Sequence, residues 1–321
     1  GSHWIDRFAD DTEELLHVAE ENGERLVRAG IRWARDVGSP TREVDGVTRA
    51  LSLHVRDAWE GRRDRPYVRA SGSHIGKAGA LPALDHLFDL AGDADELVAI
   101  AERQLADGAD HLKLYLDGPD PDDAIWSADD IRRVVDAAGD RGATVTAHAT
   151  QPGGTRAAVF GGVRSIEHGD RIEPDVADEM ARRGTFLVTT HSVFSSWLTF
   201  GDTTLLDRFV GPDARRRITE RLEAARESAR IAHRAGVPIA TGSDFGGGSL
   251  RAGHLAWEVE ALVAAGLEPG EALGAATWRG GELLGEPTAG VLAADGPADG
   301  FLVHGDPLSD PSALWRVFAV L

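Results

Sequence analysis

Four residues of the 321-residue chain combine types and surroundings that could bind a metal or move a proton. Lys113 lies in the apolar run HLKLYL, His148 closes TVTAH, His168 closes SIEH, and Asp244 closes PIATGSD. Imidazole and carboxylate are ordinary ligands of divalent ions, and a carboxylate can also carry a proton. A lysine amine can be neutral and nucleophilic, whereas guanidinium stays protonated. Of 34 basic residues only Lys77 and Lys113 are lysines. A lineage bias toward arginine covers most of that imbalance, but not a lysine inside an apolar strand. Lys77, in the Gly-rich stretch GSHIGKAG, reads as solvated.

The elements that must position these residues alternate in period. Ile131, Val134, Val135 and Ala138 recur at helical spacing, and Ser127 with Asp130 forms an N-terminal capping signature, predicting a helix over Ser127–Arg141. Helices are also predicted over Thr12–Ala29, Val44–Glu60, Asp93–Asp107, Asp175–Arg183, Pro212–Ala235 and Leu255–Ala265. Strands are predicted at Ile31–Asp36, Tyr67–Ser71, His111–Leu116, Thr144–His148, Ser165–His168, Thr185–Thr190 and Pro238–Thr241. Strands alternating with helices over most of the chain argue for parallel β/α architecture. No GxGxxG turn joins a strand to a helix, so nothing supports a dinucleotide site.

A closed (β/α)8 TIM barrel needs eight strands, and seven are predicted, so the first is expected to be missing from the chain. Gly1-Ser2-His3 also resembles the scar of tag removal. In such a barrel, strand C-termini converge on one mouth, where Lys113, His148, His168 and Asp244 could meet. A lone strand-end histidine is ordinarily structural, and on these residues alone the metal site and the structural reading stay open. After Leu284 the chain turns rich in Gly, Pro and Asp, with β-type runs at Gly290–Ala293 and Gly300–His304. The division expected is a barrel over 1–284 and part of a small β-sandwich appendage over 285–321.

Composition narrows the class. The formal charge of −19 argues against nucleic acid or an anionic membrane as the main partner, since both need basic surface. With no cysteine, disulfides and thiolate chemistry are excluded. No apolar run approaches the roughly 20 residues of a membrane span, and no signal peptide opens the chain, giving a cytoplasmic expectation.

In order and spacing, LKLYLDG, VTAHAT, SIEHGD and ATGSDFG resemble the metal-dependent amidohydrolase superfamily, in particular its prolidase- and imidazolonepropionase-related members. AGIRWARDVGSP is similar to the family's second-strand segment, EALVAAGLEPGEALGAAT to its last barrel helices, and ADGFLVHGDPLSDPSAL to its β-sandwich tail. The resemblance implies two divalent metals, usually zinc, with Lys113 carboxylated by CO₂ and bridging them. It further implies His148 and His168 on the second metal, and Asp244 on the first metal as proton shuttle. The activity implied is hydrolysis of an amide, such as a dipeptide or acyl-amino acid, by metal-bound hydroxide. Esters, carbamates and cyclic amides are alternative substrates of the same centre, and a metal-poor ligand-binding relative is the alternative outside enzymes.

The sequence departs from the family at the H-x-H motif that ends its first strand and supplies two ligands. No H-x-H precedes Thr12, and His3 is at best its second member. Two metals per chain are therefore expected only if that motif lies upstream. Tyr115, two residues beyond Lys113, is a candidate to touch substrate, as are His74, His191 and His254; packed or solvated roles compete for each. Residues 192–211 carry Phe194, Trp197, Phe200 and Phe209, readable as a lid or as a loop packed on its own barrel. Asp117–Asp123 read as a solvated loop.

Overall fold

The computed structural model describes residues 4–294 and 296–321. His3, raised above as a remnant of H-x-H, lies outside the described residues. All seven predicted strands form, at Trp33–Asp36, Tyr67–Ala70, His111–Tyr115, Thr144–Ala149, Ser165–His168, Phe186–Thr189 and Ile239–Thr241. The last five, with two short strands that the sequence reading missed, His74–Lys77 and Phe88–Ala91, make a seven-stranded parallel sheet. Trp33–Asp36 and Tyr67–Ala70 pair in parallel beside it, and a bridge from Ser71 to His111 links the two sheets.

The whole assembly is curved, and one contact demonstrates it. From Trp33–Asp36 to Ser165–His168 there are four steps along the paired strands. At roughly 4.8 Å per step a flat sheet would separate them by about 19 Å. Yet the Arg35 guanidinium lies 2.5 Å from the Glu167 carboxylate. Only strands that curl around a common interior bring those groups together.

Helices pack against these strands. Helix Ala128–Gly139 carries the predicted reciprocal cap between Ser127 and Asp130 and buries Ile131, Val134 and Ala138. Burying side chains the size of Ile and Val contributes about 1.5–3 kcal/mol each. Helices Pro212–Ala235 and Leu255–Ala265 form with the bounds expected. The predicted helix Val44–Glu60 is corrected: Thr41–Val44 and Val47–Ala50 pair as a hairpin, and only Leu51–Trp59 is helical. Asp45 and Gly46 both take positive φ, 51° and 79°, which is the two-residue turn that Asp-Gly favours.

Residues 192–211 are not an open lid. Helix His191–Phe200 and a short 3-10 turn, Asp207–Phe209, pack Phe194, Phe200 and Phe209 into a cluster with Leu222 and Leu250. The expected strand at Gly290–Ala293 does not form, whereas Phe301–Val303 pairs antiparallel with Val317–Val320. Lys77 is not solvated either. It is half-buried, donates to the Ile125 carbonyl at 3.0 Å and lies 4.7 Å from the Trp126 ring centroid.

Candidate active site

Lys113 stands mid-strand on His111–Tyr115 with only 3% of its surface exposed. Burial pushes its amine down to about 8, with Arg35 acting in the same direction and Glu167, Asp244 and Asp117 opposing. Arg35 and Glu167 form a buried ion pair beside it, and Glu167 also accepts hydrogen bonds from Thr146 and Ser165. Burial alone would raise the Glu167 pKa, but Arg35, Lys113 and the two hydroxyls together hold it low.

His148 is clamped. Tyr115 stacks on its face, with centroids 4.0 Å apart and planes 12° apart, and the His168 ring stands edge-on at 4.7 Å. Its Nε2 lies 3.3 Å from Asp117 Oδ2. His168 engages the Thr190 hydroxyl through Nδ1 at 2.8 Å. Burial, reinforced by His148, Lys113 and Arg221, holds the His168 imidazole well below its ordinary pKa, so it is neutral at pH 7.

Asp244 follows strand Ile239–Thr241; its residue surface is exposed, while protein surrounds its carboxyl, with Lys113, His148 and Glu167 acting on it. That enclosure raises its pKa, against the pull of Lys113 and His148. Among the described residues only Asp45, His168 and Asp244 are non-glycines with positive φ. Asp45 belongs to the hairpin turn. The other two, at 73° and 48°, are candidate ligands. Such backbone costs of order 1–3 kcal/mol and persists where surrounding structure enforces it, commonly at functional sites.

The remaining candidates divide. His74 stands near Lys113 and His148, and burial takes its pKa down to about 3. Its ring fits because residue 38 is glycine: at φ 141° a Cβ there would lie 2.5 Å from the imidazole. His191 is 1% exposed, adjoins the Thr190 that engages His168, and neither ring nitrogen has a hydrogen-bond partner among the described residues. His254 is not brought to this cluster. It faces Trp315 and, with Arg25, Arg28 and Arg251, lines a surface cavity of about 610 Å³.

Two residues escaped the sequence reading. Asp117, taken for part of a solvated loop, is 5% exposed and touches His148. Asp36 ends strand Trp33–Asp36 near Lys113, and burial raises its carboxyl to about 6. A weak signal existed for each, since both sit at or just beyond the C-terminal end of a strand.

Among the described residues no three His, Asp or Glu side chains group as a metal cage. The donor chemistry nevertheless fits a divalent ion. His148 and His168 each bring one ring nitrogen to an outer partner, Asp117 and Thr190, the habit of metal-binding imidazoles. A buried, readily neutralised lysine supplies the amine that carboxylation requires.

The sequence matches the profile of the amidohydrolase family over residues 4–321, and the chain belongs to that family. It is a hydrolase of the class that acts on amide C–N bonds. An uncharacterised Mycobacterium tuberculosis protein is 30% identical over 311 residues, covering 92% of this chain and 75% of that protein. Ochratoxinase from Aspergillus niger is 26% identical over 340 residues, 95% of this chain and 68% of the enzyme. In structure, a Xaa-Pro dipeptidase crystallised with methionine in its active site superposes with a TM-score of 0.82. It is 24% identical and covers 97% of this chain and 78% of its own.

Proposed function

We propose that this chain hydrolyses the amide bond of a small dipeptide- or acyl-amino-acid-type substrate at a divalent-metal centre, zinc by preference. Lys113 (once carboxylated), His148, His168 and Asp244 would hold the metal. The observation that carries the reading is Lys113: a buried amine with a pKa of about 8, electrostatically coupled to Asp244 and His168. The chemistry a bound divalent ion supplies is polarisation of the scissile carbonyl and acidification of the attacking water.

The chain's own residues do the rest. Asp244, with its raised pKa, takes the proton from the attacking water and passes it to the leaving amine. Tyr115 holds the His148 ring face in place, and His74 and His191 border the substrate. The frame proposed is a (β/α)8 barrel over 1–284, with 285–321 part of a small β-sandwich. Its support is the curl that the Arg35–Glu167 contact requires.

The test is metal content together with hydrolysis. Protein purified with zinc is expected to hold one or two ions per chain and to cleave N-acyl-amino acids or dipeptides faster than matched esters or carbamates. Lys113→Ala is expected to lose both metal and activity, with partial recovery of activity in formate or acetate. A second reading, a metal-poor binding relative, draws on the absence of a three-residue cage among the described residues. Metal-free protein after zinc purification would establish it and overturn the first.

A further inference from the structure

The loop after the Lys113 strand carries a carboxylate whose surroundings are built rather than incidental. Asp117 is 5% exposed in a stretch rich in solvated acids. Its oxygens accept from the Thr150 backbone N–H at 3.0 and 2.9 Å, the Thr150 hydroxyl at 2.6 Å and the Gln151 N–H at 3.2 Å. These donors precede helix Pro152–Gly161, whose second glycine allows close approach: a Cβ at Gly154 would lie 2.8 Å from Asp117 Oδ1. The position of the carboxylate is thus fixed from the helix side. What remains within its reach is His148 Nε2, 3.3 Å from Oδ2.

We propose that Asp117 is the positioning residue of His148, accepting the Nε2 proton and thereby fixing the ring's tautomer and orientation. A carboxylate already accepting from three donors has only lone pairs to offer, so the shared proton must reside on Nε2. A singly protonated imidazole that donates from Nε2 keeps its lone pair on Nδ1, and Nδ1 is then the nitrogen available to a ligand. Tyr115 completes the arrangement, since stacking on the ring face prevents tilting while Asp117 prevents rotation about χ2. A carboxylate behind a ligating histidine typically changes metal affinity 10–100-fold. The inference rests on the metal-centre reading only for its affinity arm; the tautomer arm is independent of it.

The experiment uses Asp117→Asn, which keeps the shape and an oxygen for the Thr150 and Gln151 amides but turns an NH₂ toward His148. In metal-free, histidine-¹⁵N-labelled protein, with the His148 signals assigned by comparison with His148→Gln, long-range ¹H–¹⁵N correlations report the tautomer. Wild type is expected in the Nε2–H form and Asp117→Asn in the Nδ1–H form. Zinc affinity by chelator competition is expected to fall about 10–100-fold in the variant. Thr150→Val removes one support of Asp117 while leaving the His148 contact. It is expected to lower the melting temperature but to keep the Nε2–H tautomer and a zinc affinity within about threefold of wild type.

An Nδ1–H wild-type ring, or an unchanged tautomer in folded Asp117→Asn, overturns the proposal. So does a Thr150→Val protein that loses zinc as Asp117→Asn does, because Asp117 would then be merely structural. A wild type that binds no zinc defeats the metal-centre reading, while the tautomer still decides the role of Asp117.

Discussion

Arg35 and Glu167 lie 132 residues apart and meet beside Lys113 with side-chain exposures of 13% and 6%. A buried pair is worth little against a well-packed apolar replacement, but removing one partner leaves an uncompensated charge. Arg35→Met is therefore expected to lower unfolding free energy by roughly 3–5 kcal/mol, and Arg35→Met with Glu167→Met to recover most of it. Urea titrations of the two variants check this. Equal losses in both would mean that shape, not charge, dominates at this position. The same pair opposes itself at Lys113, where Glu167 favours the charged amine and Arg35 the neutral one. A lysine so balanced is readily deprotonated near neutral pH, which is what attack on CO₂ requires.

Elements decide which backbone groups the site can use. Helix His191–Phe200 begins where the chain leaves strand Phe186–Thr189, and no side chain of its own caps it. Glu258, fully buried on helix Leu255–Ala265, accepts from the His191 and Ser192 backbone N–H groups at 2.9 and 2.7 Å. A negative charge at a helix N-terminus is favourable, and the two donors would otherwise be orphaned away from water. Glu258→Ala is expected to cost roughly 2–6 kcal/mol, since each of the two stranded donors costs about 1–3. Hydrogen exchange should show it first, as lost protection confined to residues 191–200. Global destabilisation without local exchange would place the role of Glu258 elsewhere.

Across the whole molecule, buried histidines set the response to pH. His74 and His111 are lowered from 6.5 to about 3, and His168 well below its ordinary value, burial being the largest cause for each. The unfolded chain binds protons on these rings below about pH 6.5 while the fold does not, so their contribution falls as pH falls. Asp36, raised from 3.8 to about 6, acts in the opposite sense, because the fold then binds the extra proton; Asp170 and Asp244 shift the same way. Between pH 7 and 5 the histidines outweigh the carboxyls, and metal-free protein is expected to melt at a lower temperature at pH 5 than at pH 7. A higher melting temperature at pH 5 would put the carboxyls in control. No helix among the described residues is long and apolar enough to cross a membrane.

The sequence by itself determined the alternation of strands and helices, because side-chain periodicity is a local property. Helix Pro212–Ala235 and the seven predicted strands were legible for that reason, and so was the set of strand-end residues with its single apolar-flanked lysine. The hairpin Thr41–Ala50 was misread where the Asp45-Gly46 turn outweighed a helical apolar pattern. Tertiary structure alone decided which polar residues are buried together. Asp117 reads as one more acid in an acidic loop until the fold brings it to Thr150, 33 residues on, and Arg35 reads as a strand arginine until the sheet curls toward Glu167. Those contacts depend on strand order and curvature, which no window of sequence contains.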